Sequence, residues 1–213
     1  MEESFDDMEV LYLTDKEIFL GIWTSPRLVF KYINDNDYGK YVTTLLLLAG
    51  IYSAFGRAIN KNMGDSMPLW GVLAICIIGG GLLGWISYYI YAALVSWTGG
   101  LLHGEGDTDS ILRIMSYATL PQILTFVPLF LRILVSGNEV FQSGGSSDWI
   151  SVMLLFGSSA LGVCLSFCAF ALAVIGVSEV QKLSIWKSAL NLLLPILILG
   201  VPILLLILLF KSF

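Results

Sequence analysis

Three stretches hold residue types that can do chemistry. HGEGDTDS, from His103 to Ser110, places Asp107 after a Gly-x-Gly, where a protease built on paired carboxylates would place one of them. That reaction needs two carboxylates close enough to share a proton, and no apolar run of this chain supplies a second aspartate. FGSSALG, from Phe156 to Gly162, offers serines inside an apolar run. A serine nucleophile needs an adjacent base, and His103, the only histidine, belongs to a loop. One histidine with Cys76, Cys164 and Cys168 makes no zinc set, and those thiols, all in apolar runs, read as small packing residues. The expectation is a protein with no catalytic residues, no metal and no cofactor, and therefore not an enzyme.

Polar residues at or near membrane depth remain: Arg113, Ser116, Tyr117, Gln122, Arg132, Glu179, Gln181, Lys187 and Asn191. A charge at a bilayer centre costs at least ~2.5 kcal/mol, whereas one near a helix end reaches water by extending. Most of these charges fall near ends. Glu179 is placed to pair with Arg113 or Lys187 at the cytoplasmic mouth, as a structural clamp or as part of a ligand site. Gln122, beside Pro121, is deeper and suited to carbonyls that the proline frees. Together Arg113, Ser116, Tyr117, Gln122, Glu179, Lys187 and Asn191 form a candidate polar cavity or clamp.

The elements that must position them are membrane helices. With 57% hydrophobic and 13% charged side chains in 213 residues, the chain has more apolar surface than a soluble domain of this size can hide. Uncharged runs at Tyr41–Phe55 with its flanks, Leu69–Thr98, Trp149–Ser178 and Ser188–Phe210, and the run Ile111–Val135 between Arg113 and Arg132, predict five crossings. Leu69–Thr98 is 30 residues, or ~45 Å, so it must tilt, break or project, and Gly79-Gly80-Gly81 with Gly84 marks a kink or a close contact. The acidic start, MEESFDDMEV, lacks the features of a signal peptide, so the first crossing is expected to direct insertion. Seven basic residues on the N-terminal side against four on the other put the N-terminus in the cytoplasm and the C-terminus outside. The net charge of −5 lies largely in the first residues and points to no nucleic-acid partner.

SILRIMSYATLPQILTFVPLFLRIL, from Ser110, and SIWKSALNLLLPILILGVPILLLIL, from Ser184, align without a gap. Ser110 matches Ser184, Arg113 matches Lys187, Pro121 matches Pro195, and Pro128 matches Pro202. We read a parallel pseudo-repeat, helices two and three followed by four and five, in which these four prolines break helices around a site. Retention of the repeat for packing alone is the other reading.

Before the first crossing, WTSPRLVFKYIND gives Ser25 as N-cap and Pro26 at the first helical position. Leu28, Val29, Tyr32 and Ile33 share one face, away from Arg27, Lys31 and Asn34. The expectation is an amphipathic helix over 25–37 on the cytoplasmic leaflet, anchored by Trp23, or else packed on the bundle ends. It divides an acidic cytoplasmic tail, 1–24, from a membrane domain, 38–213.

WTSPRLVFKYI, SYATLPQIL in the third helix and VIGVSEVQKLSIWKSAL between the fourth and fifth resemble the Yip1 domain family in its bacterial, short-tailed branch, over roughly residues 20–210. The resemblance implies an all-α, five-crossing protein with a cytoplasmic N-terminus, in the cytoplasmic membrane of a bacterium. Eukaryotic members bind Rab-type GTPases through a longer N-terminal region and carry an Asp-Leu-x-Gly-Pro signature. This chain has neither, so Rab binding is not transferred. The expected function is a non-enzymatic integral membrane protein of the Yip1 type, acting on the lipid bilayer and through contacts with itself or other membrane proteins. The alternative is a small transporter or lipid-handling protein with a cavity between the proline-broken repeats.

Overall fold

The computed structural model describes residues 13–144 and 148–211, with side chains as far as Pro202 in the last helix. Among the described residues every regular element is helical. Five helical runs are long and apolar enough to cross a membrane: Val42–Asn60, Leu69–Leu101, Thr108–Phe141, Trp149–Gln181 and Ile185–Pro202. The first 12 residues of the predicted acidic tail lie outside the description. The rest of that tail is helical.

Helix α1, Asp15–Thr24, opens on a capping box in which Thr14 and Glu17 bond reciprocally, and it buries Ile18 and Ile22. The predicted tail boundary at residue 24 is therefore moved back, because TDKE followed by Ile18 and Ile22 makes a capped helix with an apolar stripe. Helix α2, Pro26–Asp35, follows at once. Ser25 stands at its N-cap position with Pro26 behind it, but the serine side chain makes no capping bond.

The first crossing, α3 (Val42–Asn60), packs chiefly on the second. The second contains α4 (Leu69–Ala74), a π-helical turn over Ile75–Gly79, and α5 (Gly80–Leu101). It stays one helix, and its glycines serve a close crossing. A Cβ on Gly50 would lie 2.5 Å from the Gly80 carbonyl oxygen and 2.7 Å from the Gly84 Cα. Only residues without side chains let two backbones approach this closely.

The third crossing is interrupted twice, into α6 (Thr108–Ala118), α7 (Leu120–Leu124) and α8 (Phe126–Ser136), with turns at Thr119 and Thr125. Pro121 and Pro128 lack the N–H groups that would close the ladder. Near these breaks the hydroxyls of Ser116, Thr119 and Thr125 donate to the carbonyls of Arg113, Ser116 and Gln122, three residues before each. Gln122, expected to do this, makes no such bond. The fourth crossing is α9, Trp149–Gln181, and the fifth is α10, Ile185–Lys211, which runs without interruption through Pro195 and Pro202. The expectation that this second pair of prolines also breaks its helix is thus corrected. Pro195 takes the donor from the Asn191 carbonyl, and Thr98 Oγ1 approaches that oxygen at 3.5 Å.

Two apolar clusters hold the ends. One joins Ile18, Ile22, Val29, Phe30 and Ile33 of α1 and α2 to Ile111, Ile114 and Tyr117 of α6 and Val177 of α9. The other joins Phe55 and Ala58 to Val72, Cys76, Leu129 and Phe141. Where such side chains leave water, each contributes about 1.5–3 kcal/mol, which explains why α1 and α2 hold to the end of the bundle.

Candidate functional site

The layer formed by α1 and α2 is fastened to the bundle by charges. Arg27 Nε pairs with Glu179 Oε1 at 2.5 Å, and Arg113 with Asp37 Oδ1 at 2.6 Å. The expected pairing of Glu179 with Arg113 or Lys187 is corrected, because α2 brings its own arginine to Glu179 and Arg113 pairs with Asp37, while Lys187 is exposed. Asp15 accepts from Tyr38 Oη at 2.6 Å, from Tyr41 Oη at 2.5 Å and from Lys40 Nζ at 2.5 Å. The Lys40 bond first, then the two tyrosines, hold its carboxyl far below the usual carboxylate range. Burial, and then the bond to Asp15, push the Tyr38 phenol up.

The apolar face predicted to dip into lipid is largely turned inward. Val29 and Ile33, with Phe30, are fully buried against protein, Phe30 lying over Gly176 of α9. Tyr32 is half-buried and faces the Tyr38 ring at 6.1 Å. Trp23, Leu28, Arg27 and Lys31 stay exposed. Periodicity shows that a face is covered, and it does not say whether protein or lipid covers it.

The candidate cavity residues divide. Ser116, Tyr117 and Asn191 are fully buried, closed in by packed side chains. Thr98 Oγ1 donates to Asn191 Oδ1 at 2.7 Å, and Tyr91 Oη donates to the Leu192 carbonyl at 2.5 Å. Among the described residues, Tyr117 Oη and Asn191 Nδ2 have no hydrogen-bond partner. Gln122, half-exposed, lines a pocket of about 220 Å³ with Tyr88, Tyr91, Met115 and Phe170. Arg113 and Glu179 are brought to the same end of the bundle but serve separate pairs.

The glycine-rich loop after α5 docks on the end of α9. Gln181, fully buried, donates from Nε2 to the Val95 carbonyl at 3.1 Å. Its amide fills the space where side chains on Gly99 and Gly104 would be, and its stem with Val180 fills that at Gly106. Glu105 N donates to the Gln181 carbonyl at 3.3 Å, and Glu105 pairs with Lys182 at 2.5 Å. The signal was available: glycines at 99, 104 and 106 leave room for a neighbour as well as freedom to move.

Helix α9 carries two small-residue faces. Gly162, Ser166, Ala169 and Ala173 line the pockets between α9 and its neighbours. A second face, Gly157, Ala160, Cys164, Cys168 and Ala171, is exposed throughout. Its spacing of three and four residues keeps it on one side of the helix, in a valley between exposed Leu161 and Phe167.

Five crossings, apolar outer surfaces and a polar-fastened layer at one end define a polytopic α-helical membrane protein. The chain belongs to the Yip1 domain family, whose model matches residues 20–207. No curated protein and no solved structure matches it.

Proposed function

We propose that this Yip1 domain protein is non-enzymatic and acts through lateral contacts with other membrane helices, its own copies or other membrane proteins. The observation that carries the reading is the exposed valley Gly157, Ala160, Cys164, Cys168 and Ala171 on α9. Lipid tails are as apolar as leucine, so helices associate in membranes by close packing, and a valley of small residues permits it. The burial of Ser116, Tyr117 and Asn191 supports the same reading and counts against a transport passage between the proline-bearing helices. The basic-residue bias supports a cytoplasmic α1–α2 layer, and the resemblance to the short-tailed branch of the family supports a bacterial cytoplasmic membrane.

The test is the size of the assembly in native membranes solubilised mildly. Gly157→Leu with Ala160→Leu fills the valley without touching the bundle, since nothing lies within 4 Å of a Cβ at Gly157. The proposal expects a smaller assembly than wild type. An unchanged size would remove the valley as the contact.

A further inference from the structure

A second feature of α9 faces the other way. Between α8 and α9 runs a groove of about 520 Å³ lined by Tyr52, Thr125, Pro128, Ser158, Phe167 and Phe170, with Arg132 at one end. Arg132 also lines a smaller recess of about 280 Å³, shared with Asn62, Ser136, Glu139 and Ser151, at the membrane face opposite the α1–α2 layer. Arg132 is half-buried and, among the described residues, has neither an ion pair nor a hydrogen bond. Arg27, Lys40, Arg113 and Lys182 each have a carboxylate, and the other cations at the bundle ends that lack one, Arg57, Lys61 and Lys187, are exposed, whereas Arg132 is half-buried. A half-buried guanidinium without a protein partner inside a membrane span is a candidate functional group.

Two geometrical facts identify what fits. From Ser158 to Phe170 the groove follows 12 residues of α9, or ~18 Å, close to half of the ~30 Å hydrocarbon core and so the depth of one leaflet. Pro128, Leu129, Val163, Phe167 and Phe170 give it apolar walls, with Ser158 and Ser166 between them. The second fact is the order of the charges: Arg132 lies one turn inside the end of α8 at Ser136, while exposed Glu139 lies beyond that end, in the turn Gly137–Phe141. A cation deeper and an anion shallower is the reverse of the dipole of a phospholipid headgroup that carries its phosphate inside and an amine outside.

We propose that this groove binds a phospholipid with a primary amine headgroup, of the phosphatidylethanolamine class, in the leaflet opposite the α1–α2 layer. The phosphate accepts from Arg132, the ammonium donates to Glu139, and one acyl chain lies between α8 and α9 against Pro128, Phe167 and Phe170. Charge-assisted bonds at both ends of the headgroup give selectivity that a quaternary ammonium, which has no N–H, does not obtain. The outward valley occupies a different face of α9, and Phe167 stands between the two.

The full chain, purified in a neutral detergent, is titrated with dioleoyl phosphatidylethanolamine, the phosphatidylcholine and phosphatidylglycerol of the same chains, and soluble phosphoethanolamine. Retained lipid is counted by native mass spectrometry and thermal protection is recorded. The expected result is retention and protection by phosphatidylethanolamine above both other lipids, and none by the soluble headgroup. Arg132→Gln weakens it about ten-fold, the loss of one charge-assisted bond. Glu139→Gln abolishes the preference over phosphatidylcholine. Gly162→Leu, where a Cβ meets nothing within 4 Å, blocks the acyl chain while keeping both charges. Equal retention of all three lipids, protection by phosphoethanolamine alone, or full binding by folded Arg132→Gln and Gly162→Leu would each overturn the site.

Discussion

Gly50 of α3 and Gly84 of α5 meet backbone to backbone, with room for no Cβ between them. Gly50→Ala therefore forces the two crossings apart and is expected to cost about 1–3 kcal/mol, the usual range for overpacking. Gly79, where a Cβ meets nothing within 4 Å, is the control. Thermal unfolding in detergent should separate Gly50→Ala from Gly79→Ala, and equal midpoints would mean that the crossing is looser than described.

Asp15 gives a pH prediction whose sign follows from its lowered pKa. A carboxyl whose folded value lies below its unfolded value contributes stability that is fully present above the unfolded value, ~3.9, and is lost as pH falls toward the folded one. Amide protection at Ile18 and Ile22 should therefore not change between pH 7 and pH 5. Asp15→Asn should lower it at both, because the Lys40 bond loses its charge. Protection that falls between pH 7 and pH 5 in the wild type, corrected for intrinsic exchange, would contradict the clasp.

The Arg27–Glu179 pair is two-thirds exposed at the arginine and one-fifth exposed at the glutamate. Screening by water limits such a pair to about 0.2–1 kcal/mol. Its role is to fix the register of α2 on α9. Arg27→Glu should loosen α2 by a fraction of this order, and Arg27→Glu with Glu179→Arg should recover it. A double-mutant cycle with no coupling would assign the register to Phe30 and Val29 alone.

The loop 103–107 is expected to become sensitive to protease in Gly104→Ala, because the new methyl competes with the buried Gln181 amide and its Val95 bond. About 1–3 kcal/mol of local stability is at stake. Cleavage no faster than in the wild type would show that Gln181 can shift.

The crossings were legible because ~20 uncharged residues leave few alternatives. The register of α2 was legible as well, since Pro26 and the spacing of Val29 and Ile33 fix a helix and its apolar face. What covered that face was not, because packing on Gly176 joins residues far apart in sequence. Helix α1 was readable from Thr14, Glu17 and Ile18, yet acidic composition suggested a tail. The pairs Arg27–Glu179 and Arg113–Asp37 depend on where α2 lies, which no local pattern encodes. Prolines were ambiguous for a physical reason: Pro121 follows a helix break at Thr119 whereas Pro195 lies inside an unbroken helix, and a missing N–H alone does not decide between the two.

The account rests most heavily on the outward valley of α9, and its native thiols allow a direct measurement. Cys164 and Cys168 are free and exposed on that face, whereas Cys76 is buried near the opposite cluster. Intact membranes treated with a short bifunctional thiol reagent are analysed for products that disappear in Cys164→Ser with Cys168→Ser. The account predicts an intermolecular product through these two cysteines, with itself or with another membrane protein. Complete labelling of both thiols by a lipid-soluble monofunctional reagent, with no cross-linked product, would contradict it.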